Sequence, residues 1–306
     1  MPANKNIKKV IPASGIRFDI EPKTEYKNNL RSIDVKLLGA MPVEKLKEYI
    51  GNWVHATWNK NPLDSSNDDK IEDYIKGAAK GEVLPSVLET IPLIFLIDGI
   101  SLIEVTHLLR HRQFSFSADC SGDKMWNEKD ALVPGSIQQS SEFYERYKSI
   151  VEQSKQLYCD IINSEKISIM DARYILPRCL STYYFVRCDL RSCLDFIKQR
   201  IDKQIQPETD NMIAYKMYLE IIKQYPFLKG IVNLHAPAMN YIKQANTDNA
   251  SNLYWPDKDS DIFEWNPESF VYKCQRNELN GTDENAENIF DIEFVKIEKE
   301  LEKYEN

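Results

Sequence analysis

The sequence predicts an α/β fold, a mixed sheet flanked by helices, and three observations carry that reading. Residues 91–97 are a β-compatible apolar run stopped by Asp98 and Gly99, as a buried strand requires. Residues 180–185 are aromatic and β-branched, which suits a second strand. Residues 139–165 place apolar side chains at helical spacing over about seven turns, the mark of a long amphipathic helix.

The remaining elements follow in chain order. Residues 1–32 are polar and weakly patterned, and read as an N-terminal arm. The run Ile33-Asp34-Val35-Lys36-Leu37-Leu38 has strand character and ends at Gly39. Met41-Pro42-Val43-Glu44 then opens a helix through Tyr49 to Trp58, with Pro early and an acid in the first turn. The segment 59–70 is a loop by composition. Ile71 to Lys80 is a short helix closed by Gly81, and Ser86-Val87-Leu88-Glu89 is a cap and turn. From Gly99, a stripe of Ile100, Ile103, Leu108 and Leu109 predicts a helix ending at Arg110, followed by a Ser- and Asp-rich loop over 115–124. Asp171 to Pro177 is a turn, residues 190–204 and 212–225 are helices, and Pro226 stops the second. Beyond about residue 230 the composition shifts to Asn, Asp, Trp and Tyr, with a turn at Asn280-Gly281 and a closing acidic helix from Ile289 to Tyr304.

Composition excludes several classes. Hydrophobic residues make up 42%, enough for a real core and too many for a disordered chain. The net charge of -8 is the wrong sign for a general binder of nucleic acid or anionic membrane. No apolar run approaches a membrane span, and no apolar segment follows the basic start. Six cysteines without a CxxC pair fit a reducing, cytoplasmic setting, and no Cys/His spacing indicates a metal. His55 and His235 read as structural histidines, and the run Tyr183-Tyr184-Phe185 as core or subunit packing.

Chemistry concentrates at Arg110-His111-Arg112. Two guanidiniums and an imidazole at the end of an apolar helix match phosphate oxygens, although a helix C-terminus favours cations on its own. Ser121 and Gly122 follow on a loop able to present a hydroxyl and backbone amides. Farther on stand Ala172-Arg173, Leu176-Pro177, Thr182, Asp189-Leu190-Arg191, Leu194, Phe196 and Gln199-Arg200. Arg191 and Arg200, nine residues apart on one helix, point to opposite sides.

Taken together, these blocks resemble the flavin-dependent thymidylate synthases over about residues 33–228. The signature RHR, a spacer and Ser stands as Arg110-His111-Arg112, eight residues and Ser121, and S-V-L-E stands as Ser86 to Glu89. The resemblance implies a homotetramer that binds FAD where subunits meet. It would convert dUMP to dTMP with methylenetetrahydrofolate as carbon donor and NADPH as reductant. Carried over residue by residue, Ser86, Arg110, His111, Arg112 and Arg191 would contact FAD. Arg110, Ser121, Gly122, Arg173 and Arg200 would hold the nucleotide, with Arg200 polarising the pyrimidine ring as the catalytic residue. Reduced flavin would supply the hydride, so no cysteine nucleophile is required, Cys120 included.

The sequence also departs from the family pattern. Asp123 and Lys124 stand where the family has Arg and Tyr after Ser-Gly, and Lys124 is a candidate substitute for the phosphate-binding Arg. Asp189 stands for the Asn of the family's N-x-R, Asp195 replaces a polar flavin contact, Gln204-Ile205-Gln206-Pro207-Glu208 replaces H-A-Q-W-E, Leu84 replaces a His, and His107 replaces a Gln. Three readings follow. The chain is a diverged thymidylate synthase, a flavoprotein acting on another pyrimidine nucleotide such as dCMP, or a non-catalytic relative that binds nucleotide or only assembles.

Overall fold

A computed structural model describes residues 19–56, 60–61, 70–201, 207–235 and 288–304. The Trp255 and Trp265 tail, the Asn280-Gly281 turn, Gln204 to Gln206 and most of the arm lie outside them.

In chain order, β1 (Tyr26–Asn28) and α1 (Asn29–Ser32) precede β2 (Asp34–Ala40), α2 (Val43–His55) and α3 (Ile71–Lys80). A 3-10 turn over Pro85–Thr90 leads into β3 (Pro92–Ile100) and α4 (Leu102–Leu108). Then come β4 (Ser115–Ala118), β5 (Ala131–Val133), α5 (Gly135–Gln139), α6 (Ser141–Asn163) and α7 (Ile169–Ala172). The chain continues through β6 (Thr182–Asp189), α8 (Leu190–Arg200), α9 (Glu208–Gln224) and α10 (Ile289–Glu302).

Parallel and antiparallel pairing both occur, in separate sheets. The four-stranded sheet has the order β2-β3-β6-β4 and every pair in it is antiparallel. A parallel pair, β1 with β5, forms the second sheet. Side chains on β6 alternate, with Thr182, Tyr184, Val186 and Cys188 buried against helices and Tyr183, Phe185 and Arg187 turned outward. The inner face meets α8 and α9. Helix α9 is buried nearly all round, including Met212, Ile213, Tyr215, Met217 and Tyr218, as a central helix must be. Helix α10 lays Phe290, Phe294, Ile297 and Leu301 on it, and these belong to the main core. Helix α6 roofs two smaller apolar clusters, one around Trp126 and Val151, the other around Tyr158 and Ala172.

Several expected boundaries shift for local reasons. Ile100 ends β3 instead of beginning a helix, because Ser101 caps α4. The Ser101 backbone N–H donates to Glu104 at 2.7 Å while its hydroxyl accepts from the Ile103 N–H at 3.1 Å. The segment expected as a loop over 115–124 starts as β4, which pairs with β6 from Ser115 opposite Arg187 to Ala118 opposite Tyr184. The arm also joins the fold. The described part of it contains β1, and the buried Lys155 ammonium donates to the Lys23 carbonyl at 2.7 Å and to the Thr24 hydroxyl. Among the described residues no helix is long and apolar enough to cross a membrane, and no cluster of His, Cys, Asp and Glu is arranged to hold a metal.

Candidate active site

Two helix junctions build the site. The first is the turn after α4, where Arg110, His111 and Arg112 follow the last helical residues. The second is α8. The Asp189 carboxylate caps its N-terminus by accepting from the Ser192 N–H at 2.8 Å, which fixes Arg191 in the first turn. The Ser192 hydroxyl lies 2.8 Å from both Asp189 Oδ2 and Gln113 Oε1, so it ties the two junctions together. Asp189 therefore has a structural task at the position of the Asn in the family's N-x-R.

Arg200 ends α8 and meets His111 there. Its Nε and Nη2 lie 3.2 and 3.0 Å from His111 Nε2, and its Nη1 donates to Asp210 Oδ2 at 2.9 Å. Two donors aimed at one imidazole nitrogen require that nitrogen to be an unprotonated acceptor. The pKa agrees: burial first, and then the Arg200 charge, push His111 down to about 4. The imidazole packs edge-on against Phe196, with ring centroids 4.7 Å apart. On Asp210, burial raises the pKa and the His107 and Arg200 charges pull against it. That carboxylate, its side chain 4% exposed, also accepts from His107 Nδ1 at about 3.1 Å.

Arg110 and Arg112 are exposed, and among the described residues neither has a carboxylate partner. Arg191 is paired with Glu89, beside the exposed Ser86 on the 3-10 turn. Between that turn, α3 and α8 runs a groove of about 210 Å³ edged by Gly81, Pro85, Arg191, Asp195 and Lys198. Arg191 and Arg200 thus serve opposite sides of one helix.

Ser121, Gly122 and Arg173 form a separate group. A Cβ on Gly122 would sit 3.1 Å from Arg173 Nη1 and 2.6 Å from Met170 Sδ, so the loop lies directly against that guanidinium. Arg173 Nε donates to the Met170 carbonyl at 3.1 Å, which anchors the side chain to α7. This group rests on the α6–α7 cluster, whereas His111, Phe196 and Arg200 belong to the main core region. Eight residues, 113–120, separate Arg112 from Ser121 along the sequence. By their contacts, the expected nucleotide residues fall into two sets, Gly122 with Arg173 and Arg200 with His111.

Lys124, a candidate substitute for the phosphate-binding Arg, is engaged within the chain. It lies 3.2 Å from Asp119 Oδ1 and donates to the Tyr183 hydroxyl at 2.9 Å. Asp119 also holds Lys129, at 2.5 Å. Burial alone would raise the Asp119 pKa, but the two ammoniums hold it below the ordinary value. Lys124 is therefore a paired charge. Of the minor candidates, His235 pairs with Glu298 at 2.9 Å, while the His55 side chain lies outside the described residues. In the aromatic run, Tyr184 is buried in the core and Phe185 faces outward.

Sequence reasoning did not find Asp210. It stands ten residues after Arg200 and looks like an ordinary first-turn acid of α9. His107 was visible only as a replaced Gln.

The sequence matches the family model described as thymidylate synthase complementing protein over residues 36–227. Among similar proteins, the flavin-dependent thymidylate synthase of Pyrococcus furiosus is 27% identical over 171 residues, 55% of this chain and 69% of the relative. The enzyme of the same description from Mycolicibacterium gilvum is 25% identical over 178 residues, covering 53% and 69%. Two solved structures share the fold. The UMP/dUMP methylase PolB from Streptomyces cacaoi, bound with 5-Br dUMP, has a TM-score of 0.55 at 18% identity, over 69% of this chain and 96% of that one. The flavin-dependent thymidylate synthase from Helicobacter pylori, complexed with FAD and dUMP, has a TM-score of 0.50 at 17% identity, over 64% and 98%.

Proposed function

The chain belongs to the thymidylate synthase complementing protein family, the flavin-dependent thymidylate synthases, and on that premise we propose that it methylates dUMP to dTMP with FAD as its cofactor. The carbon donor in this reading is methylenetetrahydrofolate and the reductant is NADPH. The observation that carries it is the pair of exposed guanidiniums, Arg110 and Arg112, beside a third, Arg200, held by Asp210 and His111.

That arrangement fits the two ligands. In an acidic chain, a dinucleotide pyrophosphate needs cations not already neutralised by carboxylates, and Arg110 and Arg112 meet that need. Ser86 and Arg191 extend the surface along the groove beside α3. Bound flavin supplies the redox chemistry, and the protein supplies orientation and charge. Arg200, fixed by two partners, would present a guanidinium that stabilises negative charge on a pyrimidine carbonyl without reorganising. His111, neutral under ordinary conditions, holds that guanidinium in place.

Ser121, Gly122 and Arg173 complete the nucleotide site from a neighbouring copy in this reading, so the working form is a homo-oligomer, a tetramer by family precedent. Two features support it. The expected ligands fall into two sets within one chain, and the outward sheet face carries the exposed apolar residues Leu38, Ile94 and Phe185, which a second copy would cover.

The test is a titration of dUMP, UMP, dCMP and dTMP into the FAD-loaded protein, followed by turnover with methylenetetrahydrofolate and NADPH. Tight binding and methylation of dUMP bears the reading out. Retention of FAD with no nucleotide bound at millimolar concentration refutes it.

A further inference from the structure

Ser192, Phe196 and Arg200 stand four residues apart on α8, so they form one row along one face of the helix. Each side chain in the row grips part of the turn after α4. Arg200 Nη2 lies 3.0 Å from His111 Nε2. Phe196 packs against His111 and Phe114, with ring centroids 4.7 and 5.3 Å away. Ser192 holds Gln113. The turn is therefore laid along α8, and Arg112 stands between two anchored residues, His111 and Gln113.

The Gln113 anchor has a direction. Ser192 Oγ lies 2.8 Å from Asp189 Oδ2 and 2.8 Å from the end of the Gln113 amide. A hydroxyl carries one hydrogen, and a carboxylate oxygen only accepts. The hydrogen goes to the charged acceptor, Asp189. The Gln113 amide then turns its nitrogen to Ser192, an exchange of ends that leaves the outline of the side chain unchanged. Donation runs from Gln113 Nε2 to Ser192 Oγ, and from there to Asp189 Oδ2. Gln113 is exposed, and among the described residues its amide has no other partner. The helix cap does not depend on this tie, because it uses the Ser192 backbone N–H.

We propose that Gln113, fixed by Ser192, is a positioning residue of the cofactor site. It pins the turn to the first turn of α8, and so holds Arg112 and Arg191 in a fixed relation for the phosphates of the dinucleotide. Cations held in place before binding lose less freedom when the ligand arrives, and that saving appears as affinity. Gln113 acts through the two guanidiniums and needs no contact with the cofactor. This inference rests on the reading that places FAD on Arg112 and Arg191, and deepens it.

The experiment titrates FAD into flavin-free full-length protein, followed by quenching of flavin fluorescence, and records the visible circular dichroism of the flavin at saturation. Gln113→Met keeps the length of the side chain and loses the amide, and Ser192→Ala removes the hydroxyl. Each should weaken FAD binding by about tenfold and alter the flavin dichroism, while the flavin-free melting temperature stays near that of wild type. The double variant should bind no more weakly than either single one, because both break the same tie. Gln113→Glu keeps the shape but cannot donate, so it should not restore affinity. Wild-type affinity in Gln113→Met, losses that multiply in the double variant, or full affinity in Gln113→Glu each overturn the proposal, while FAD binding by wild type leaves the cofactor reading intact. Failure of wild type to bind FAD, or retention of full affinity in Arg112→Ala, overturns that reading and this inference with it.

Discussion

Replacing Arg200 separates what its charge does from what its shape does. The Arg200 and Asp210 side chains are 12% and 4% exposed, so this is a buried ion pair. Arg200→Met removes one partner and leaves the carboxylate with His107 alone, a change that costs about 3–5 kcal/mol. Arg200→Lys keeps the charge, but one ammonium reaches Asp210 or His111 and not both. It forfeits the contacts at 3.0 and 3.2 Å to His111, for a loss of about 1–3 kcal/mol. Denaturant unfolding of the flavin-free protein should therefore rank wild type above Lys and Lys above Met. Adding Asp210→Asn to Arg200→Met should recover stability, because the orphaned carboxylate disappears. A double variant less stable than Arg200→Met would refute the reasoning, since it would mean the carboxylate stabilises the fold without its cation. In turnover, Arg200→Lys should lose more in kcat than in nucleotide affinity, because a point charge replaces the planar fork.

Four further outcomes follow. Gly122→Ala should leave thermal stability nearly unchanged, since Met170 is a flexible, half-exposed neighbour, but should weaken dUMP binding by crowding Arg173; unaltered affinity would separate that loop from the site. Gly99 has φ +69° and a Cβ there would lie 1.9 Å from the Ser32 carbonyl oxygen, so Gly99→Ala should destabilise by about 3 kcal/mol or more, and an unchanged melting temperature would contradict the geometry. Arg112→Ala should release FAD on gel filtration, and equal flavin absorbance per protein would remove Arg112 from the cofactor site. His111 is held near a pKa of about 4 against 6.5 in the unfolded chain, so the unfolded state binds its proton first as pH falls. Stability should decline from pH 6.5 to pH 4 by roughly 3 kcal/mol on this account, and a wild-type curve parallel to that of His111→Phe over that range would exclude it.

What the sequence disclosed depended on how local each signal is. Helices α3, α6 and α10 were legible because each carries several turns of its own periodicity, and α3 a terminating Gly81. Strand β3 was legible because it is central and apolar. Strand β4 was not, since Ser115, Phe116, Ser117 and Ala118 form a strand only by pairing with β6. The three-residue strands β1 and β5 were silent for the same reason, each existing through the other. Within the candidate site, the arginines were legible as ordered blocks, but their grouping was not. That Arg173 keeps company with Gly122 while Arg200 keeps company with His111 depends on which apolar cluster each segment joins.

The acidic departures look different once their partners are known. Read along the chain, Asp123, Asp189 and Asp195 threaten an anionic ligand by like charge, and Asp210 passes for a helix-capping acid. In the fold they divide. Asp189 spends its carboxylate on the α8 N-terminus, where the helix dipole and the Ser192 N–H receive it. Asp210 is neutralised by Arg200 and His107 within the protein interior. Only Asp123 and Asp195 remain exposed, and Asp195 shares its groove with Arg191 and Lys198. Among the described residues Arg110 and Arg112 have no carboxylate partner, despite a net charge of -8. In the proposed reading, an anionic ligand would meet the turn after α4 with the carboxylates of Asp189 and Asp210 already engaged by a helix amide and by buried partners. Asp189 thus places its charge on the α8 N-terminus, which is compatible with the phosphate-binding role proposed for the RHR turn.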